Sequence, residues 1–149
     1  MKIRFYKGAG ILFAFKGQDW EILLFRRAIR PYKGFWSIVG GKCEPNEDFR
    51  TTAQREASEE AFRGIDLNDY LKKYLPDNFD FSLIPEEIYS NWFFFKWRNF
   101  LVQFKEKPPM ELIRLNFEND SARWFPVKEL PKDLFPGLLR TFKVFKLHS

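Results

Sequence analysis

The segment from Gly41 to Glu60, GKCEPNEDFRTTAQREASEE, restricts the possible folds of this chain more than any other stretch. Phe49, Ala53, Ala57 and Ala61 recur at steps of four, the apolar stripe of a helix predicted over Phe49 to Phe62. The small side chains of that stripe let the helix lie close to a sheet. On the opposite side Glu56, Glu59 and Glu60 stand at i, i+3 and i+4 and share one face. The Glu56/Glu60 pair alone costs an isolated helix roughly 0.2 to 0.5 kcal/mol, and a divalent cation reverses the sign. An ordinary solvated face interleaves bases with its acids. Here only Arg55 and Arg63 lie within helical reach of Glu59, and no base stands one turn before Glu56 or Glu60. A ligand set made of carboxylates alone suits a hard cation, Mg2+ or Mn2+.

The same segment resembles the Nudix box, whose pattern is Gly, five residues, Glu, seven residues, Arg-Glu, an aliphatic residue, any residue, Glu-Glu, any residue, Gly and an aliphatic residue. Gly41, Glu47, Arg55, Glu56, Glu59 and Glu60 match it in type and spacing. So many specified positions across long fixed gaps form a far more specific signal than a glycine-rich loop. Ala57 takes the aliphatic position, and Phe62-Arg63 replaces the closing Gly-aliphatic pair, which Gly64-Ile65 supplies two residues late. Upstream, Val39 and Asn46 stand where the family often has Pro and Gly. Outside the box, EILLFRR (Glu21 to Arg27), WSIVGGK (Trp36 to Lys42) and Glu118 ahead of Arg123-Trp124 are similar to further family features, so the resemblance spans about Gly8 to Leu130.

That resemblance implies an α/β fold, the Nudix-type α/β/α sandwich with a mixed β-sheet flanked by helices. It implies a Mg2+-dependent pyrophosphohydrolase, with Mn2+ as the alternative metal, cleaving a nucleoside diphosphate linked to another moiety. A nucleoside triphosphate or nucleotide-sugar class is favoured. The alternative is a non-catalytic nucleotide-sensing or binding module, which loss of box carboxylates would normally betray, and none is lost. On the family's pattern Glu56, Glu59, Glu60 and the Gly41 carbonyl hold metal, while Glu47 pairs with Arg55 as structural support. Glu56, Glu59 and Glu118 are the catalytic candidates, with Glu56 or Glu118 as the base that deprotonates water. Arg26 and Arg27 are the phosphate-gripping candidates, because guanidinium matches phosphate oxygens bidentately. Strand alternation lets only one of the two face the site, and comparison with the family favours Arg27.

The remaining composition narrows the alternatives. The length, 149 residues without a Ser/Gly-rich linker or repeat, fits one domain over 1–149. One Cys forbids an internal disulfide, and the one His, at position 148, makes a His-dependent triad or multi-His zinc site a poor reading. Cys43, lacking such a partner, reads as a loop residue rather than a nucleophile. The aromatic run from Trp92 to Phe104 is broken by Lys96 and Arg98, so it is not a membrane span, and MKIRFYKGAG lacks a signal peptide's apolar core. A cytoplasmic protein is expected, without membrane or nucleic-acid partners, and with a homodimer left open. The net charge of +5 is compatible with anionic ligands but is not arranged as the continuous basic stripe that nucleic acid needs.

Coarsely, Gly8–Phe15 and Glu21–Phe25 read as a hairpin about Gly17–Asp19, and Gly34–Val39 as a short strand leading to a Gly40-Gly41 loop. A short helix ending near Pro76 is expected between Asp66 and Asp80. Strands follow near Leu83–Tyr89, Asn91–Phe104 and Ala122–Val127. A last helix over Pro136–Leu147 carries Leu138, Leu139, Phe142 and Phe145 at helical spacing, with Pro136 in its first turn. The box helix, lacking Gly at its usual closing position, is expected to run through Phe62 and end at Gly64, with Phe62 in the core.

Overall fold

The computed structural model describes residues 6–84, 87–92 and 95–147. β1 (Tyr6–Lys16) and β2 (Trp20–Arg27) form the expected hairpin, closed where the Gly17 N–H donates to the Asp19 carbonyl at 3.2 Å. The two strands pair only from Phe13↔Leu23 to Lys16↔Trp20. Beyond Phe13 the hairpin opens, and other strands occupy the freed edges. β3 (Trp36–Ser37) pairs with Phe25 and Arg26 of β2, and β4 (Val39–Lys42) pairs antiparallel with Gly8–Ile11 of β1. On the other edge of β1 runs β6 (Phe95–Phe104), parallel from Tyr6↔Phe95 to Phe15↔Phe104, with β5 (Glu87–Trp92) antiparallel outside it. β7 (Asn119–Pro126) completes the mixed sheet on β2.

The single strand expected over Gly34–Val39 is instead two short ones, and the expected Gly40-Gly41 loop is strand. The reason is steric. A side chain at Gly40 would meet the Ala9 carbonyl oxygen at 2.7 Å, and one at Gly41 would run into the Glu56 carboxylate. Glycine is used at both places for close approach of extended backbone. Gly34 is outside any strand, with φ at +88° in a left-handed turn. The strand expected near Leu83–Tyr89 begins only at Glu87, Phe81–Leu83 being a 3-10 turn, and Pro85 and Glu86 lie outside the described residues.

Strand alternation divides the core between the two faces. Ala9, Ile11 and Phe13 of β1 and Phe100, Val102 and Phe104 of β6 pack with Ala53, Ala57 and Ala61 of α1 (Phe49–Ala61). Leu67 of α2 (Leu67–Tyr70) joins the same cluster; the short helix expected to end near Pro76 stops at Tyr70, and Lys72–Tyr74 follows as a 3-10 turn. Leu12 and Ala14 face the other way, with Leu101 and with Leu138 and Phe142 of α3 (Leu138–Val144). Helices therefore cover both faces of the sheet. In α3 the expected stripe is narrower, since Leu139 is 56% exposed, and Pro136 precedes the N-cap Gly137 rather than opening the helix.

α1 starts where Asp48 accepts the Thr51 N–H at 2.7 Å, an N-cap that satisfies one of the helix's free donors. Its end differs from expectation. The regular helix closes at Ala61, with Phe62 as cap residue at φ −134°, ψ 15°. Phe62 is fully buried as expected, its ring edge-on to Phe13 at 6.0 Å. The terminal carbonyls are not left to a further turn, because Arg114 N–H donates to Ala61 and Asn116 N–H to Glu60, at 2.7 and 3.3 Å. The chain turns away through Arg63 and Gly64 at φ +50° and +75°, and the Gly64 N–H returns to the Ser58 carbonyl at 2.9 Å. The left-handed exit thus begins at Arg63, directly after the cap, and continues through the displaced glycine, and the helix itself is shorter than predicted.

Candidate metal and phosphate site

The opening of the β1–β2 hairpin places the acids. α1 lies across β1 and β4 on its alanine stripe, which directs Glu56 over Gly41 and Glu60 toward the outer edge of β4. Among the described residues β4 pairs with β1 alone, and the Gly40 N–H donates to Glu60 Oε2 at 2.9 Å. Glu118 comes from the turn that enters β7. Its backbone is fixed on both sides, the N–H donating to Asn116 Oδ1 at 2.9 Å and the carbonyl accepting from Ala28 N–H at 2.8 Å. One oxygen each from Glu56, Glu60 and Glu118 lies within 4.8 Å of the others. Gly41 pairs with Ala9 in the β1–β4 ladder, and its Cα faces the Glu56 carboxylate.

Glu60 is only 4% exposed. Burial, followed by a hydrogen bond with Glu118, pushes its pKa up to about 10. Burial also raises Glu56, against the opposing pull of Arg55. Three convergent carboxylate oxygens with little positive charge around them fit a hard divalent cation. Glu59 stands apart from the trio, half-exposed and held by Arg55 Nη1 at 3.3 Å.

Glu47 and Arg55 form a fork-to-fork pair, Nε to Oε2 and Nη2 to Oε1, both at 2.9 Å. The Arg55 hydrogen bonds hold the Glu47 carboxyl down to about 2, with Thr52 Oγ1 donating a further bond at 2.6 Å. Arg55 reaches further than this pairing: Nη1 also donates to Glu56 Oε1 at 3.0 Å and Nη2 to the Lys42 carbonyl at 3.0 Å. One guanidinium therefore joins the loop after β4, the helix and an acid of the trio.

Arg26 and Arg27 are separated by a register shift in the β2–β7 ladder, so simple alternation does not govern them. Arg26 is bound to Asp120 at 2.7 Å, with its guanidinium 5.9 Å from the Trp36 ring centroid. Arg27 donates from Nε to the Pro31 carbonyl at 2.8 Å and lies over Phe135. Thr52, Asn116 and the Gly40 N–H were not singled out from sequence. Asn116, two residues before Glu118, carried a readable signal as an Asx turn. The Gly40 and Thr52 contacts depend on the packing of α1 against β4 and carried none.

A sheet opened between β1 and β2, with a helix laying paired carboxylates across the gap, defines the class to which the chain belongs. Residues 6–145 match the NUDIX domain family, and the protein is a member of that family. With its box acids in place it is a hydrolase of phosphoric anhydride bonds. No curated protein matches the chain significantly in sequence. Among solved structures it is similar to a C. elegans Ap4A hydrolase in a binary complex, at 21% identity and a TM-score of 0.65 over 93% of this chain and 97% of that one. It is also similar to a MutT protein from Methanosarcina mazei Go1, at 19% identity and a TM-score of 0.64, over 98% and 96% of the two chains. A bifunctional NMN adenylyltransferase/ADP ribose pyrophosphatase from Francisella tularensis aligns at 18% identity with a TM-score of 0.69, over 98% of this chain and 41% of that one. Among the described residues, no helix is long and apolar enough to cross a membrane.

Proposed function

We propose that the protein is a Mg2+-dependent pyrophosphohydrolase acting on a nucleoside diphosphate linked to another moiety, with a nucleoside triphosphate or nucleotide sugar as the favoured substrate class. The observation that carries this reading is the convergence of Glu56, Glu60 and Glu118 within 4.8 Å beside Gly41. A bound divalent cation supplies neutralisation of phosphoryl charge and a more acidic water. Glu56 and Glu60 from α1, with the Gly41 carbonyl, hold it in this reading. Glu118 closes the site from the β7 side and, with Glu56, is a candidate to accept the proton of the attacking water. Glu59, at the rim and tethered to Arg55, is available to a further ion. Arg27 is the favoured phosphate clamp and Glu47 with Arg55 the support that keeps loop and helix in register. That solved neighbours include proteins named for Ap4A and ADP-ribose hydrolysis agrees with a nucleotide substrate.

The test is release of phosphate or nucleoside monophosphate from a panel of nucleotides with Mg2+, Mn2+ or EDTA. Metal-dependent release from one substrate class is expected. Tight nucleotide binding without release at any metal concentration would instead make the chain a sensing module.

A further inference from the structure

Arg26 and Arg27 are consecutive on β2, yet their guanidinium groups have different surroundings. Arg26 is neutralised by Asp120 at 2.7 Å. Arg27 has no ion-pair partner among the described residues. Its Nε donates to the Pro31 carbonyl at 2.8 Å, and its guanidinium lies 5.6 Å from the centroid of the Phe135 ring. Both Nη groups are left without a hydrogen-bond partner among the described residues, on a partly buried side chain.

Long-range pairing brings Phe135 to this place. Its N–H donates to the Trp36 carbonyl and the Trp36 N–H to the Asp133 carbonyl, both at 2.8 Å, so residues 133–135 run along β3. The Leu138 N–H then closes on the Phe135 carbonyl at 3.3 Å, at the start of α3. The loop between β2 and β3 is closed in its turn, with Arg27 N–H donating to Phe35 at 2.9 Å and Gly34 N–H to Arg27 at 2.8 Å. That loop sets the Tyr32 ring edge-on to Phe135, 5.0 Å between centroids. Backbone on one side and a second ring on the other thus fix the surface over which Arg27 lies.

This arginine is a neighbour of the carboxylate site. Arg27 pairs with Asn119, the residue after Glu118, and the Ala28 N–H holds the Glu118 carbonyl at 2.8 Å. Burial raises the pKa of the Tyr6 hydroxyl, Glu56 adds to the rise and Arg27 opposes it, so one hydroxyl lies within electrostatic reach of an acid of the trio and of this guanidinium.

We infer that Phe135 is the positioning residue of a phosphate clamp, its ring holding the Arg27 guanidinium with both Nη groups free to meet phosphate oxygens of the substrate. This rests on the hydrolase reading above, with Arg27 as its clamp, and adds what fixes that arginine. A long side chain ordered before the substrate arrives has less freedom to lose on binding, and a planar guanidinium keeps its fork geometry when stacked on a ring. Pro31 takes the one donor, Nε, that points back along the chain, which leaves the pair suited to bidentate contact.

The test combines kinetics with binding of methylenediphosphonate, whose P–C–P bridge is not hydrolysed, measured by calorimetry in Mg2+. Wild type, Phe135→Leu, Phe135→Tyr, Arg27→Gln and the Phe135→Leu/Arg27→Gln double variant are compared. Phe135→Leu is expected to weaken diphosphonate binding and raise KM by roughly 2- to 30-fold, the range of a cation–π contact, with little change in kcat. Phe135→Tyr, which keeps the ring, should restore wild-type values. In the Arg27→Gln background Phe135→Leu should have no further effect, because the ring acts only through the guanidinium. If Phe135→Leu does not fold, Tyr32→Asn carries the same cycle, since Tyr32 is 47% exposed and Asn tolerates its φ of +59°. An equal loss with and without the Arg27 guanidinium would overturn the proposal, as would unchanged diphosphonate binding in Phe135→Leu or no binding by the wild type. Unimpaired hydrolysis by Arg27→Gln would overturn the clamp and leave the hydrolase reading standing. Diphosphonate binding that follows the expected cycle, without hydrolysis of any nucleotide, would support the clamp and overturn the hydrolase reading.

Discussion

At Glu60 the protein keeps a carboxylate 4% exposed, within reach of two others. Burying an ionisable group there costs stability, a common feature of functional positions. On the proposed role, Glu60→Gln removes most metal-dependent turnover while raising the melting temperature in EDTA by a few degrees at neutral pH, because a carboxyl that is ionised in the unfolded chain but held with a raised pKa in the folded one becomes a neutral isostere. Glu59→Gln, at a half-exposed position, leaves the EDTA melting temperature near wild type. Equal melting temperatures for wild type and Glu60→Gln would show that the trio is not strained. Glu47 behaves oppositely. Its folded pKa is lowered from 4.5 to about 2, so its contribution to stability is fully present above pH 4.5 and lost as pH falls toward 2. Urea midpoints of wild type and Glu47→Gln are therefore expected to differ at pH 6 and to converge below about pH 2.5.

α1 is positioned as much by its end as by its stripe. Phe62 sits between Phe13 and Tyr70 with both rings at 6.0 Å, at the place where the chain leaves the helix. Phe62→Ala removes a fully buried ring and is expected to cost about 3 to 5 kcal/mol in denaturant unfolding. A loss under about 1 kcal/mol would mean that the surroundings collapse into the space. Arg55 ties the middle of the same helix to the end of β4 and the loop that follows it, through the Lys42 carbonyl and Glu47. Arg55→Ala should lower melting temperature and activity together. Abolished activity at an unchanged melting temperature would move Arg55 from support into the chemistry, a role its contact with Glu56 makes worth separating.

For the whole molecule, beyond the stretch where β1 and β2 pair directly, the acids face one another across the opened hairpin: β1 and β4 carry α1, while β2 and β7 carry Glu118. A cation held by both should act as a clasp. Melting temperature is expected to climb with Mg2+ concentration, by about 2.7 kcal/mol of stabilisation at a hundred times the dissociation constant. In Glu118→Gln the same titration should need more metal and give a smaller rise. A metal-independent melting temperature in the wild type would argue against the assigned ligands.

Much of this was legible in the chain itself. That Glu56, Glu59 and Glu60 crowd one side of the helix follows from spacing, but at 3.6 residues per turn Glu60 falls beside Ala53 rather than opposite the alanine stripe, and it is buried with that stripe. The hairpin and the burial of Phe62 were likewise local matters of pattern and polarity. What needed the tertiary structure was every feature that depends on which strand lies beside which. Gly40 and Gly41 look like a loop in sequence, and only packing under Glu56 and beside Ala9 makes them strand. The bulge that breaks the alternation of Arg26 and Arg27 arises from pairing with β7. Three glutamates on one helical face could be counted from sequence, but the selection of Glu56 and Glu60 to meet Glu118, leaving Glu59 at the rim, was decided by where the sheet opens. Periodicity fixes the face of an element, whereas long-range pairing fixes what that face meets.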